Sequence, residues 1–231
     1  MNLQGKVTLI TGAKGGLGSF VTEAFLAAGA KVIGVSRSIQ ATDFSHPEFT
    51  AMPAGLSTGE AARKVAADVA ARFGRIDALV HVMGGFAGGT RVDETDDATF
   101  EQMLDVNYRA GFFIVRALLP QMRQQGGGRI LAVASRQGVE PAAMVGAYSA
   151  SKAALVSLIH TVALENKDRG ISANTVLPGT METPANRAGD PKADRAQWVQ
   201  PSQVAALLVH LASDASTQVT GAAIPVYGPQ V

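Results

Sequence analysis

The chain has 231 residues, with 20 basic and 19 acidic side chains, and it contains no cysteine. A formal net charge of +1 argues against binding to nucleic acid or to a charged membrane surface, and the lack of cysteine excludes disulfides and thiolate metal sites. No stretch approaches the roughly 20 apolar residues of a membrane-spanning helix, and the four histidines have no metal-ligand spacing. We therefore expect one cytoplasmic domain over residues 1–231, with no metal.

The first predicted unit is a strand, a glycine-rich turn and a helix. Residues 7–11 form a β-branched apolar run, the turn occupies residues 11–18, and apolar residues then recur at helical spacing. Glycines let the backbone approach a pyrophosphate, whose charge is favoured at a helix N-terminus. This pattern predicts dinucleotide binding. The candidate residues in the turn are Gly12, Lys14, Gly16, Leu17 and Gly18.

The segment after the second predicted strand, residues 31–35, bears on the choice of cofactor. An acidic residue there would hold the ribose 2′-hydroxyl, whereas a basic residue nearby accommodates a 2′-phosphate. The sequence offers no carboxylate at this position, and Ser36, Arg37 and Lys14 can bind a phosphate. We therefore expect NADPH as the cofactor, with NADH as the less favoured alternative.

The middle of the chain predicts alternating helices and strands. A loop or a single turn is expected over residues 39–47, because the polar stretch there is too short for a full crossover helix. A capping-box pattern opens a helix over residues 57–73. A strand follows over residues 77–82, and a long amphipathic helix runs from Thr95 to about Gln124.

A serine, a tyrosine and a lysine come next, at positions where one carbonyl group would meet all three. Ser135 ends an apolar run that predicts a buried strand, and the carboxyl edge of a parallel sheet is where ligands bind. Tyr148 and Lys152 are four residues apart, which places them one helical turn from each other. An ammonium beside a phenol favours the phenolate, so we expect Lys152 to lower the pKa of Tyr148 toward the working pH.

The helix that carries this pair is predicted from Ala147 to about Arg169. It is rich in alanine and leucine on more than one side, which indicates burial in the core or against a partner subunit. We expect its other serines, Ser149 and Ser151, to face away from the site. The remaining predicted elements are a strand over residues 171–177, a mobile substrate lid over about 180–198, a helix over 201–213 and a strand over 222–226.

Taken in order, the glycine-rich turn, Asn107, Ser135, the Tyr148–Lys152 pair and the Pro178-Gly179 turn resemble the short-chain dehydrogenase/reductase family. The resemblance implies a Rossmann-type α/β fold, a doubly wound parallel sheet of about seven strands with helices on both faces, and a homodimer or homotetramer. It also implies that Asn107 kinks its helix and relays protons to the lysine. The further cofactor contacts that it implies are Gly84, Tyr148, Lys152, Pro178, Gly179 and Thr183.

Two segments depart from the family pattern. Residues 81–84 have the sequence His-Val-Met-Gly where the family typically has Asn-Asn-Ala-Gly, and we interpret His81 as a packed strand residue rather than a catalyst. The glycine-flanked Phe86, and the segment 181–187 with Trp198, resemble dihydropteridine reductases of the same superfamily. Candidate substrate contacts are Phe86, Ser135, Met144, Met181 and Trp198.

We expect an NADPH-dependent oxidoreductase that transfers hydride to a small-molecule carbonyl substrate, with Tyr148 as general acid/base. The predicted catalytic residues are Asn107, Ser135, Tyr148 and Lys152. One alternative is a pterin reductase, although such enzymes often lack the serine and have an acid after the second strand. A second alternative is a regulator that binds the dinucleotide without turnover.

Overall fold

Seven parallel strands form a single sheet in the computed structural model, which describes residues 1–229. The strands are β1 (Val7–Thr11), β2 (Lys31–Ser36), β3 (Phe49–Pro53), β4 (Ala78–His81), β5 (Gly128–Val133), β6 (Ile171–Pro178) and β7 (Ala223–Val226). Their order across the sheet is β3-β2-β1-β4-β5-β6-β7, and every neighbouring pair is parallel. The predicted doubly wound parallel sheet is confirmed.

Helices cover both faces of this sheet. They are α1 (Gly18–Ala27), α2 (Gly59–Phe73), α3 (Asp97–Leu104), α4 (Ala110–Gln124), α5 (Gly146–Asn166), α6 (Pro184–Gly189) and α7 (Pro201–Ala212). Successive strand residues point to opposite faces. Leu9 accordingly lies in the core beneath α2, α4 and α5, whereas Ile10 lies in the core beneath α1 and α7. Burial on both faces explains why the strands are continuous apolar runs.

The strand order reverses between β1 and β4, and this switch point positions the site. Ligands of open parallel sheets bind at the carboxyl ends of the strands where the order reverses. Thr11 and His81 are register partners at that end, and the chain leaves them as the glycine-rich turn and as the Met83-Gly84 segment. Gly12 has φ 70°, and a Cβ there would lie 2.8 Å from the Met83 backbone nitrogen. The two segments are therefore in direct backbone contact.

Some element ends differ from the prediction, and α5 runs over Gly146–Asn166 where the sequence predicts Ala147 to about Arg169. Thr58, rather than Ser57, caps α2 by accepting the Ala61 N–H, and Gly74 ends that helix with φ 72°. The long helix predicted from Thr95 is divided into α3 and α4 by a π-helical turn at Asp105–Arg109. The loop after β2 contains only a short 3₁₀ turn at Ala41–Asp43, as expected.

Among the helices of residues 1–229, α5 is the one long and apolar enough to cross a bilayer, judged by length and composition alone. It packs against β6 in this fold, and it carries several buried polar side chains on its inner face. Those side chains are Ser149, Ser151, Lys152 and Asn166.

Replacing Gly18 with alanine is expected to destabilise the glycine-rich turn. The added Cβ would lie 1.9 Å from the Gly12 carbonyl oxygen, and a backbone atom cannot move aside by changing rotamer. We expect the free energy of unfolding to fall by about 1–3 kcal/mol, measured by urea denaturation. Gly189→Ala is the matched control, since its Cβ would meet no atom within 4 Å. Equal stability of the two variants would contradict the close contact.

Candidate active site

The predicted serine, tyrosine and lysine meet at the carboxyl edge of the sheet. Ser135 lies two residues beyond the end of β5 and is 5% exposed, and Tyr148 and Lys152 lie on the first two turns of α5. The Ser135 hydroxyl forms a hydrogen bond with the Tyr148 hydroxyl. The Lys152 Nζ lies 6.0 Å from the centre of the Tyr148 ring. The fold therefore brings the Ser135 and Tyr148 hydroxyls together, with the Lys152 side chain one helical turn further along α5.

Burial sets the protonation of Tyr148. Removal from water raises the pKa of Tyr148, and the hydrogen bond from Ser135 offsets only part of that rise. The expectation that Lys152 lowers this pKa is wrong for the structure, because the lysine does not contribute to the shift. The phenol is therefore protonated at neutral pH and is poised to donate.

Lys152 is a buried amine that points toward the strand rather than toward the phenol. Its Nζ donates a hydrogen bond of 3.1 Å to the Val133 carbonyl oxygen. Burial lowers the pKa of Lys152 to about 8. A Cβ at position 84 would lie 3.0 Å from this nitrogen, so Gly84 allows residues 84–89, the glycine loop after β4, to pass close to it. Close packing excludes water from the amine, and the loss of water lowers the pKa of Lys152.

Gln137 is a neighbour of Ser135 that the sequence analysis missed. The Ser135 hydroxyl donates to the Gln137 Oε1 over 2.5 Å, and the Gln137 backbone N–H lies 3.3 Å from the same hydroxyl oxygen. A hydroxyl has one proton to donate. Gln137 and Tyr148 therefore compete for it. The spacing of serine and glutamine two residues apart, typical of a turn closed by a side chain, was the available signal.

Asn107 lies in the π turn between α3 and α4 and is fully buried. Its Oδ1 accepts the Gly85 N–H and its Nδ2 donates to the Gly85 carbonyl oxygen, both over 3.0 Å. The Nδ2 also donates to the Ser151 hydroxyl over 3.2 Å. The π turn is a local irregularity of the helix, and it directs this amide into the site.

The two extra serines of α5 behave differently from each other. Ser149 and Ser151 are both buried, and the expectation that both face away from the site is wrong for Ser151. Ser151 donates to the Tyr148 carbonyl oxygen over 2.7 Å as well as accepting from Asn107. Within residues 1–229 the Ser149 hydroxyl has no hydrogen-bond partner.

His81 is packed inside the end of β4, as interpreted from the sequence. Its Nδ1 lies 2.8 Å from the Thr11 hydroxyl, and its Nε2 has no partner among residues 1–229. Burial, followed by repulsion from Lys152, lowers the pKa of His81 to about 3. The imidazole is therefore neutral and links the ends of β1 and β4.

The glycine-rich turn has the shape that a dinucleotide pyrophosphate needs. No side chain caps the N-terminus of α1, and Gly15 and Gly16, which precede it in the turn, are exposed. A Cβ at Gly16 would lie 3.3 Å from the Thr183 Cβ, which places the predicted Thr183 against the turn. Pro178 and Gly179 end β6. The residues present fit a nicotinamide dinucleotide.

Lys14 is less available than the sequence suggested, because it forms an ion pair with Asp43 over 2.8 Å. The second Asp43 oxygen accepts the Gln40 N–H over 2.8 Å, and the hydrogen bond with Lys14 is the main reason why the pKa of Asp43 is lowered. A carboxylate is therefore present near the end of β2, although none follows Ser36 directly. Arg37 is exposed and forms no ion pair within the described chain.

The candidate substrate contacts fall into two groups. Phe86 is 68% exposed, and its ring stands edge-on to the Tyr148 ring with centroids 5.0 Å apart. Met144 is exposed beside it, with φ 67° and a carbonyl that accepts the Gly89 N–H. Trp198, in contrast, is 7% exposed, and Met181 packs against the core beneath α1 and α7. In this conformation Trp198 is buried and Met181 is half-buried against the core.

Comparison with known proteins adds independent evidence. A family model described as short chain dehydrogenase matches residues 6–194. The short chain dehydrogenase adrF of Penicillium rubens is 32% identical, over 97% of this chain and 96% of that protein. A crystal structure of a putative short-chain dehydrogenase/reductase from Burkholderia xenovorans superposes with a TM-score of 0.92 at 30% identity, covering 99% of this chain and 97% of that one.

A second solved structure bears on the cofactor. The 3-ketoacyl-(acyl-carrier-protein) reductase from Brucella melitensis, complexed with NADH, has a TM-score of 0.89 at 26% identity and covers 99% of each chain. Full-length likeness in sequence and in fold, together with the family match, shows that this chain belongs to the short-chain dehydrogenase family and is an NAD(P)-dependent oxidoreductase.

Proposed function

We propose that this chain is an NADPH-dependent reductase of ketones, aldehydes or 3-oxoacyl groups, with Tyr148 as its general acid. The observation that carries the proposal is the convergence of Ser135, Tyr148 and Lys152 at the carboxyl edge of β5, beside the dinucleotide turn. The name of the Brucella melitensis relative, a 3-ketoacyl reductase, supports a carbonyl substrate.

Side chains of this protein donate the proton that the reaction needs. The nicotinamide, when bound, supplies the hydride that adds to the carbonyl carbon. The Tyr148 O–H bond breaks as its proton passes to the carbonyl oxygen, which gives an alcohol and a phenolate. Ser135 hydrogen-bonds the same oxygen while negative charge develops there. Lys152 would hold the ribose of the bound cofactor, and Asn107 completes the route by which the proton is restored.

The protonation of the free protein suits reduction. A general acid must hold its proton at the working pH, and burial raises the pKa of Tyr148. The oxidation of an alcohol would instead need the phenolate, which this environment disfavours. We therefore propose carbonyl reduction as the direction favoured near neutral pH.

We propose NADPH over NADH because Arg37 is exposed beside the end of β2 and has no ion pair within residues 1–229. A guanidinium suits a phosphate group through paired hydrogen bonds. The Lys14–Asp43 ion pair weakens the preference for NADPH, because it engages Lys14, the second cation that could bind the 2′-phosphate. The relative from Brucella melitensis was complexed with NADH, so the preference needs a direct measurement.

A quinonoid dihydropterin is the second candidate substrate. The edge-on contact of Phe86 with Tyr148 favours it, because the two rings meet at 74° and provide apolar walls for a planar ring. Ser135 favours the carbonyl substrates, since the serine supplies a hydrogen bond to a carbonyl oxygen. A regulator without turnover would bind the dinucleotide and reduce neither class.

Further proposals concern assembly and surroundings. The outer face of α5 leaves Leu164 61% exposed, and this supports a homodimer or homotetramer in which that face is covered. We propose that the chain forms one domain and that residues 180–198, which include α6, form its substrate lid.

We propose a cytoplasmic location, in keeping with a sequence that has no cysteine.

Tyr148→Phe should lower kcat for carbonyl reduction by a factor of roughly 100 or more, because the general acid is lost. The dissociation constant for NADPH, measured by calorimetric titration, should stay within about twofold of wild type. Val139→Ala is the control for protein preparation and assay, because Val139 is exposed and is not one of the four predicted catalytic residues. Undiminished turnover in Tyr148→Phe would remove this residue from the mechanism.

The pH profile of kcat/KM for NADPH reports the free enzyme and should fall above pH 8. Lys152 loses its proton there, because burial lowers its pKa to about 8, whereas Tyr148 stays protonated. The decline should approach tenfold per pH unit. His81 should contribute no limb between pH 5 and 7.5, since its pKa is about 3. A profile that stays flat to pH 10 would contradict the assignment.

Asp43→Asn should tighten NADPH binding severalfold and leave NADH binding within about twofold. The substitution removes a negative charge near the proposed phosphate position and frees Lys14 from its ion pair. Asp68→Asn, which breaks the Lys64–Asp68 pair on α2, is the matched control for loss of a surface carboxylate. Weaker NADPH binding in Asp43→Asn would mean that the carboxylate instead orients Lys14 for the cofactor.

A further inference from the structure

Ser151 connects the catalytic turn of α5 to Asn107. Its side chain has no exposed surface, and its hydroxyl donates to the Tyr148 carbonyl oxygen over 2.7 Å. The Ser151 hydroxyl oxygen in turn accepts a hydrogen bond from the Asn107 Nδ2 over 3.2 Å. A hydroxyl is suited to this position because it can donate to one partner and accept from the other.

The Asn107 amide is fully used by its surroundings. One Nδ2 hydrogen is donated to the Gly85 carbonyl oxygen and the other to the Ser151 hydroxyl oxygen, while Oδ1 accepts the Gly85 N–H. The remaining neighbour of Nδ2 is the Met103 sulfur at 3.7 Å, which is a weak acceptor. Without Ser151, a buried N–H would lose its good partner, at a cost that favours rearrangement of the amide.

These contacts close a circuit around the general acid. Gly85 is followed by Phe86, whose ring contacts the Tyr148 ring, and Tyr148 is joined through its carbonyl to Ser151 and from there to Asn107. Three separate segments therefore meet: the glycine loop after β4, the π turn, and the first two turns of α5. Ser151 and Asn107 provide the side-chain hydrogen bonds of this circuit.

We propose that Ser151 is a positioning residue for the reductase described above. By fixing the Asn107 amide against the glycine loop and against the Tyr148 turn, it holds the phenol in the orientation that proton donation requires. The proposal rests on the proposed function for its kinetic consequences. Its structural part, the fixed orientation of Asn107, stands independently of any activity.

Ser149 supplies a matched control on the same helix. It lies two residues before Ser151 and is 7% exposed, and its hydroxyl has no hydrogen-bond partner within residues 1–229. Ser149→Ala and Ser151→Ala each remove one buried hydroxyl from α5. Only the second change removes a connection to Asn107.

The kinetic test compares Ser151→Ala with Ser149→Ala, using NADPH and ethyl 3-oxobutanoate. We expect Ser151→Ala to lower kcat about tenfold, with KM for NADPH within about twofold of wild type, and we expect Ser149→Ala to keep kcat within about twofold. Ser151→Cys preserves the volume but offers a weak donor and acceptor, so it should resemble Ser151→Ala and replaces it if the alanine variant does not fold. Equal kcat for the Ser149 and Ser151 variants would overturn the proposal.

A second readout needs no turnover. In the free protein, the Asn107 side-chain amide resonances, followed by ¹⁵N NMR, should be protected from hydrogen exchange in wild type and in Ser149→Ala. Protection of the Nδ2 protons should be lost in the Ser151 variants. Retained protection there would overturn the proposal even if kcat fell. If wild type reduced no carbonyl, the proposed function would fail, while this NMR comparison would still decide the role of Ser151.

Discussion

A buried amine constrains the carboxyl edge of the sheet in this protein. Lys152 is surrounded by the end of β5 and the glycine loop, and it can donate to the Val133 carbonyl only because its helix packs closely on the sheet. A Cβ at position 84 would lie 2.8 Å from the Asn107 Oδ1 and 3.0 Å from the Lys152 Nζ, so Gly84 lets the loop pass close to both side chains. The nearby His81 is neutral because burial, and then repulsion from Lys152, lowers its pKa to about 3.

Burial also moves the two titrating groups of the site in opposite directions. The pKa of Lys152 falls and that of Tyr148 rises, because loss of water disfavours the charged form of each. A lower pKa for Tyr148 was expected from the helical spacing of the pair, which indicates proximity alone. What the spacing does not contain is the exclusion of water or the direction of the amine, which points toward Val133.

Most of the fold was predictable because periodicity and turn residues report backbone geometry. The change from strand to helix across the glycines, and the end of α2 at Gly74, follow from local chemistry that the sequence states directly. The resemblance, through an order of motifs that no single spacing carries, led to the prediction of Asn107, Ser135, Tyr148 and Lys152 as the catalytic residues.

The residues that were missed depend on facts that are not local. Asp43 meets Lys14 through the path of a loop, which a sequence does not specify. Ser151 faces Asn107 because of the rotational phase of α5, and a helix that is apolar on several sides gives no pattern from which to predict that phase. Gln137 was identifiable in principle, because a turn closed by Ser135 was consistent with the sequence.

Direct titration of Lys152 tests the account most sharply. Lysine labelled with ¹³C at Cε would be followed by NMR against pH in the free protein, with Lys152→Met identifying the resonance. The burial that organises this site predicts a midpoint near pH 8 for Lys152. A midpoint near the ordinary lysine value of roughly 10.5 would contradict it, because the amine would then be solvated.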